Sequence, residues 1–117
     1  MDAQIKKGTL ELCILLLLRN NDLYGYDIMK QMNTYFPEVN ESTFYAILRR
    51  LAKDGVLETY NGEVSNGPIR KYYRITSLGY EELKRNLDDF MKLVEIINHL
   101  NTKKNPTYVD IDTIPLK

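Results

Sequence analysis

Apolar side chains near the start of the chain recur at helical spacing, which predicts a helix from Thr9 to about Arg19. The residues at i, i+3, i+4, i+7 and i+8 are Leu10, Cys13, Ile14, Leu17 and Leu18. Leu15 and Leu16 occupy the other side, so this helix is apolar almost all round. We expect such a helix to be buried on more than one face, which leaves room for contact with a partner chain.

Two more helices follow in the sequence. The first covers about 24–35, where apolar residues are spaced by four, and Pro37 ends it because the residue before a proline avoids helical conformation. The second begins after the N-cap residue Asn40, continues to about Asp54, and has Gly55 at its left-handed C-cap. Its apolar face consists of Phe44, Ile47, Leu48 and Leu51.

The pattern then changes to that of a β-hairpin. Residues 56–60 and 70–75 are rich in β-forming side chains, and turn residues fill the segment 61–68 between them. Alternation places Tyr72 and Tyr73 on opposite faces of the second strand, so we expect one of these tyrosines in the core.

A long helix is predicted from Ser77 to about Asn101, with Thr76 as its cap. Apolar residues with spacings of 4, 3, 4 and 3 form a heptad seam, the pattern of a helix that pairs with another helix. This expected dimer interface consists of Leu83, Leu87, Phe90, Val94 and Ile97. Residues after this helix, with two prolines, are expected to form an extended tail.

The order of these elements predicts a mainly α fold with a β-hairpin (α+β), namely a winged helix-turn-helix followed by a long C-terminal dimerisation helix. The expected divisions are 1–76 for the winged helix-turn-helix domain, 77–101 for the helix and 102–117 for the tail. A length of 117 residues with 44% hydrophobic and 27% charged side chains is typical of one folded domain.

The third predicted helix carries a polar stripe that suits the major groove of DNA. The candidate DNA-binding residues of this helix are Ser42, Thr43, Tyr45, Ala46, Arg49, Arg50 and Lys53. Small and hydroxyl side chains at the helix start allow close approach to a groove about 12 Å wide, and an arginine can bind guanine or phosphate. The alternative is an ordinary solvated helix face.

The second strand of the hairpin adds three cations, Arg70, Lys71 and Arg74. A basic strand beside a hairpin tip is typical of a wing that contacts a DNA phosphate or the minor groove. The alternative is cross-strand pairing with Glu58 or Glu63, which would neutralise one of the three charges.

The overall charge changes this picture only when it is divided along the chain. Sixteen basic and sixteen acidic residues give a net charge of zero and a sequence pI of about 6.6, which argues against binding nucleic acid through bulk charge. Residues 42–76, however, hold six basic and three acidic side chains, or +3, whereas residues 9–41 hold two and five, or −3. The basic part coincides with the candidate DNA-binding helix and wing.

Other chemistry has little support in the sequence. A single cysteine, Cys13, excludes an internal disulfide, and its apolar run of six residues is too short to span a membrane. With no signal peptide at the N-terminus, we expect a cytoplasmic protein. His99 has no second histidine or nearby cysteine to form a metal site, and no catalytic arrangement or phosphate-binding loop is present. We therefore expect no enzyme activity, no metal and no cofactor.

Several segments resemble the PadR family of transcriptional regulators. The matching segments are residues 23–28, 40–51, 54–57 and 70–76, followed by Gly79, and the resemblance extends from about residue 8 to residue 100. A single helix after the wing is similar to the short subclass of this family, which includes multidrug-sensing regulators. The resemblance implies a homodimer that binds double-stranded DNA at a pseudo-palindromic operator and represses transcription, with a ligand relieving repression.

The resemblance also implies where a ligand would bind. In multidrug-sensing members of the family, a flat hydrophobic or aromatic effector lies where the first and last helices meet at the dimer centre, stacked on an aromatic side chain. The candidate effector-binding residues here are Leu15, Leu16, Phe90 and Val94. The alternative for Phe90 is simple packing in the helix seam. The alternative for the whole chain is a ligand-sensing or protein-interaction module that does not bind DNA.

Overall fold

The chain is described by a computed structural model over residues 1–6, 8–62 and 69–102. The hairpin tip with Glu63 and all of the predicted tail except Thr102 lie outside these ranges. The elements are α1 Ala3–Lys6, α2 Thr9–Leu18, β1 Leu23–Tyr24, α3 Gly25–Tyr35, α4 Glu41–Lys53, β2 Leu57–Gly62, β3 Arg70–Ile75 and α5 Ser77–Asn101.

The described elements confirm the predicted α+β winged-helix fold. The strands form an antiparallel sheet in the order β1-β3-β2, in which β2 and β3 are the predicted hairpin. Strand β1 pairs Leu23 with Tyr73 and Tyr24 with Tyr72. This strand was not predicted, because two residues are too few to show an alternating pattern and its pairing depends on the edge of β3.

The core lies where α2, α3, α4 and the sheet meet. Its fully buried side chains, with less than 2% of their surface exposed, are Phe44, Ile14, Leu15, Leu18, Ile28, Met32, Leu48, Leu51 and Leu57. Tyr73 is 5% exposed and Ile75 is 4% exposed, which confirms that this face of β3 points inward. Tyr73 is therefore the core tyrosine that alternation predicted.

Hydrogen bonds at the helix ends agree in part with the predicted caps. Gly55 has a φ of +78°, the left-handed conformation expected after α4. The Thr76 hydroxyl accepts a hydrogen bond from the Gly79 N–H at 3.0 Å and so caps α5. Asn40 lies at the N-cap of α4, but its side chain makes no capping bond, and only its backbone carbonyl accepts, from the Thr43 N–H at 3.0 Å.

The chain forms two compact units, residues 1–84 and the part that begins at Arg85. The first unit extends into α5, past the expected division after residue 76, because Gly79 and Leu83 are buried within it. In the second unit, the described large apolar side chains with substantial exposure, from 37% to 55%, are Phe90, Met91, Leu93, Ile96, Ile97 and Leu100. Among the described helices, none has both the length and the apolar content needed to cross a membrane.

Candidate nucleic-acid interface

Helix α4 separates an apolar face from a polar one. Phe44, Leu48 and Leu51 are at most 1% exposed and anchor the helix in the core. The predicted DNA-binding residues that are exposed on α4 are Ser42, Thr43, Ala46, Arg49, Arg50 and Lys53. Tyr45 is half-buried at the edge of this face. Because the apolar side fixes the helix, the polar stripe is presented at the surface of the first unit.

The cations on α4 differ in their surroundings. Arg50 lies 2.8 Å from Glu11 on α2 and 4.0 Å from Asp54, and the hydrogen bond with Glu11 raises the pKa of Arg50. Within the described residues, the side chains of Arg49 and Lys53 make no salt bridge. Arg49 and Lys53 therefore have more of their charge available to a partner than Arg50 does.

The cations of β3 differ in the same way. The Arg74 Nε lies 3.2 Å from Glu58, its cross-strand neighbour, and 3.8 Å from Asp22. Arg70 and Lys71 are exposed, with no salt bridge to a described carboxylate. The cross-strand alternative thus describes Arg74, whereas Arg70 and Lys71 keep the properties expected of a wing.

Four tyrosines form a cluster on the outward face of the sheet that the sequence did not predict. Tyr60 and Tyr72 stack with ring centroids 5.5 Å apart and planes 14° apart. Tyr24 lies 6.0 Å from both Tyr72 and Tyr26. The Tyr60 hydroxyl donates a hydrogen bond to Asp22 at 2.6 Å, which raises the pKa of Tyr60. The pairing of β1 with β3 brings these rings together, and no local sequence pattern reports that pairing.

A depression of about 450 Å³ lies between the start of α3, the first half of α4 and β3. We call it the tyrosine depression, and its lining residues are Tyr24, Gly25, Tyr26, Tyr45, Ile69, Arg70, Lys71 and Tyr73. None of these residues carries a carboxylate. Burial raises the pKa of Tyr73, and the positive charge of Arg49 opposes that rise. The depression is thus continuous with the exposed face of α4.

A second, apolar cavity of about 310 Å³ lies between α2 and α3. Its lining residues are Cys13, Leu16, Leu17, Met32, Tyr35 and Phe36. Burial raises the pKa of the Cys13 thiol. Among the predicted effector residues, Leu16 lines this cavity, whereas Leu15 is 1% exposed and belongs to the core.

The predicted seam of α5 changes in exposure along its length. Leu83 is 4% exposed within the first unit, and Leu87 is half-buried. In the second unit, Val94 is half-buried, whereas Phe90 is 37% and Ile97 is 50% exposed. The far end of the seam therefore presents apolar surface that no described residue covers.

Known proteins share both the sequence and the fold. The sequence profile of the transcriptional regulator PadR-like family matches residues 14–85. An uncharacterised protein of Lysinibacillus sphaericus is 41% identical over 100 residues, which cover 82% of this chain and 91% of that protein.

Solved structures that are similar to the chain include two whose titles call them PadR-like. A PadR-like transcriptional regulator of Bacillus cereus has 33% identity and a TM-score of 0.79, over 87% of this chain and 100% of that chain. A PadR-like transcription factor of Bacteroides fragilis has 37% identity and a TM-score of 0.70, over 84% and 95% of the two chains.

Proposed function

This chain belongs to the PadR-like family of transcriptional regulators, and from that premise we propose that it is a homodimeric repressor. It binds a pseudo-palindromic operator whose half-sites lie about one helical turn of DNA apart, or a multiple of it, at ~34–36 Å per turn. Helix α4 enters the major groove, and the β2–β3 hairpin contacts the adjacent backbone.

The observation that carries this proposal is the exposed polar face of α4. Its first turn presents the hydroxyls of Ser42 and Thr43, which suit phosphate oxygens, and Ala46 leaves room for close approach to base edges. Arg49 follows on the same face and has the donors to bind guanine O6 and N7.

The pairing of cations divides the predicted contacts into two groups. Arg49, Lys53, Arg70 and Lys71 supply the direct contacts to DNA, since no described carboxylate forms a salt bridge with them. Arg50 and Arg74 contribute less, because Glu11 and Glu58 compensate their charges.

Replacing Arg49 tests the assignment of the recognition helix. Arg49→Ala should weaken binding to the DNA upstream of the protein's own gene by roughly 1–3 kcal/mol and relax specificity at one base position. Its matched control is the neighbouring Arg50→Ala, which should weaken binding by less. Fluorescence anisotropy with native and base-substituted duplexes measures both quantities.

Two results would contradict the proposal. Unchanged DNA binding by the Arg49→Ala/Lys53→Ala pair would remove α4 as the recognition helix. Absence of any DNA binding by the wild type, together with a tight protein partner in a pull-down, would favour the interaction module instead. Specific binding whose log affinity falls steeply with log salt supports the repressor.

We also propose that a flat aromatic effector relieves repression by stacking on Phe90. This side chain is 37% exposed on α5, so a ligand has access to it. Phe90→Ala should weaken binding of a flat fluorescent dye by roughly 0.5–1.5 kcal/mol, the worth of an aromatic pair. A titration that gives equal affinities for wild type and Phe90→Ala would remove Phe90 from the effector site.

A further inference from the structure

The tyrosine depression combines cationic and hydroxyl donors and lacks acidic lining residues. Arg70 and Lys71 supply two positive charges, and the lining tyrosines supply phenolic hydroxyls. Since none of the lining residues is Asp or Glu, the electrostatic potential inside favours an anion. This combination is suited to a phosphate group, which accepts hydrogen bonds from both kinds of donor.

One of the cations is held in a fixed position. The Arg70 guanidinium lies 4.8 Å from the ring centroid of Tyr24 in a cation–π contact. Tyr24 is itself fixed because it pairs with Tyr72 on β3 and stacks on Tyr26. The side chain of Arg70 makes no hydrogen bond with a described residue, so its N–H groups remain available to a ligand.

The location of the depression connects it to the DNA-binding face. Tyr45, which lines it, lies one helical turn before Arg49 on the same side of α4. The depression is also open to solvent, since Ile69 is 74% exposed and Tyr26 is 50% exposed. An open site beside a recognition helix fits a continuous polymer better than a small enclosed ligand.

We propose that the tyrosine depression binds one backbone phosphate of the operator, through Arg70, Lys71 and the hydroxyl of Tyr26. Tyr24 is a positioning residue, which holds Arg70 for this contact. The proposal rests on the proposed DNA-binding function and deepens it, since it adds the start of α3 to the DNA interface.

The test combines protein variants with DNA in which single phosphates are replaced by neutral methylphosphonates. At one position beside each half-site, this replacement should weaken wild-type binding by roughly 5- to 20-fold, the effect of losing one charge-assisted hydrogen-bonded contact. Lys71→Gln should weaken binding to native DNA to a similar extent and reduce the salt slope by about 0.9 per phosphate. Tyr26→Phe should weaken it by roughly 3- to 10-fold.

The decisive result is non-additivity. Both variants should be insensitive to the methylphosphonate that weakens the wild type, because the contact is already lost. The matched controls are Lys84→Gln, another exposed lysine of the first unit, and Tyr35→Phe, an exposed tyrosine at the opposite end of α3. Both controls should keep the wild-type sensitivity. Equal thermal midpoints would show that all four variants remain folded.

The outcomes separate this proposal from the proposed function. If the wild type binds its operator while Lys71→Gln and Tyr26→Phe keep its affinity and methylphosphonate sensitivity, the depression is not a DNA contact and the repressor proposal stands. If the wild type binds no DNA specifically, both proposals fail. If calorimetry shows that a free nucleotide binds the wild type but not Lys71→Gln, and DNA affinity is unchanged in that variant, the site takes a free phosphorylated ligand and the DNA assignment is overturned.

Discussion

Gly79 controls how closely α5 approaches the hairpin. It is buried in the second helical position after Ser77, and a Cβ built there would overlap the backbone carbonyl oxygen of Val56 and lie 2.8 Å from the Ile75 Cγ2. The Val56 carbonyl also accepts a hydrogen bond from the Thr76 N–H at 3.1 Å. Contact through backbone on one side means that a side chain cannot simply rotate away. The structure thus gives a steric reason for glycine at this point of the family resemblance.

Gly79→Ala should therefore destabilise the protein. Alanine in a helix interior is normally favoured over glycine by about 1 kcal/mol. The overlap should reverse that sign and lower the free energy of unfolding by roughly 1–3 kcal/mol. Gly25→Ala is the control, because its Cβ would lie 3.5 Å from ring atoms of Tyr45 and Tyr73, an ordinary contact distance. Urea unfolding that gave equal stability for Gly79→Ala and wild type would contradict this packing.

At the scale of the element, local periodicity predicted the four long helices and the hairpin. It worked for α4 because residues such as Phe44 and Leu48 alternate with exposed ones at helical spacing. It missed α1 and β1, which are four and two residues long, because a pattern needs more repeats than that. Short elements of this kind form only when a neighbouring surface is already in place.

The same reasoning explains which parts of the candidate site were predictable. The polar stripe of α4 follows from spacing, whereas the salt bridge between Arg50 and Glu11 joins residues 39 positions apart. The contact of Arg70 with Tyr24 depends on the pairing of β1 with β3. Sequence spacing therefore identified the basic residues, and the tertiary structure distinguishes those with a described acidic partner from those without one.

At the scale of the whole molecule, apolar surface and charge both favour an assembly of two chains. Six large apolar side chains of the second unit are 37% to 55% exposed, and contiguous exposure of this kind marks an interaction surface. A second copy would also double the basic face of α4 and the hairpin. DNA affinity should then depend on dimer formation, since each subunit contributes few phosphate contacts.

Ile97→Glu should convert the proposed dimer into a monomer. Ile97 is 50% exposed on the seam, so the change places a charge in the helix pair without disturbing a described core contact. Light scattering at micromolar concentration should give twice the 13.7 kDa chain mass for the wild type and 13.7 kDa for the variant. Lys92→Glu, exposed on the same helix and outside the seam, should remain dimeric. A monomeric wild type would contradict the homodimer itself.

The stacked tyrosines of the sheet also give the protein an optical signature. The chain has nine tyrosines and no tryptophan, so tyrosine dominates its absorption near 280 nm and its near-ultraviolet circular dichroism. Tyr60 and Tyr72, with centroids 5.5 Å apart and nearly parallel planes, are close enough for their electronic transitions to couple. Near-ultraviolet dichroism therefore reports on the packing of the hairpin without an added label, in the presence of any partner that does not absorb in that range.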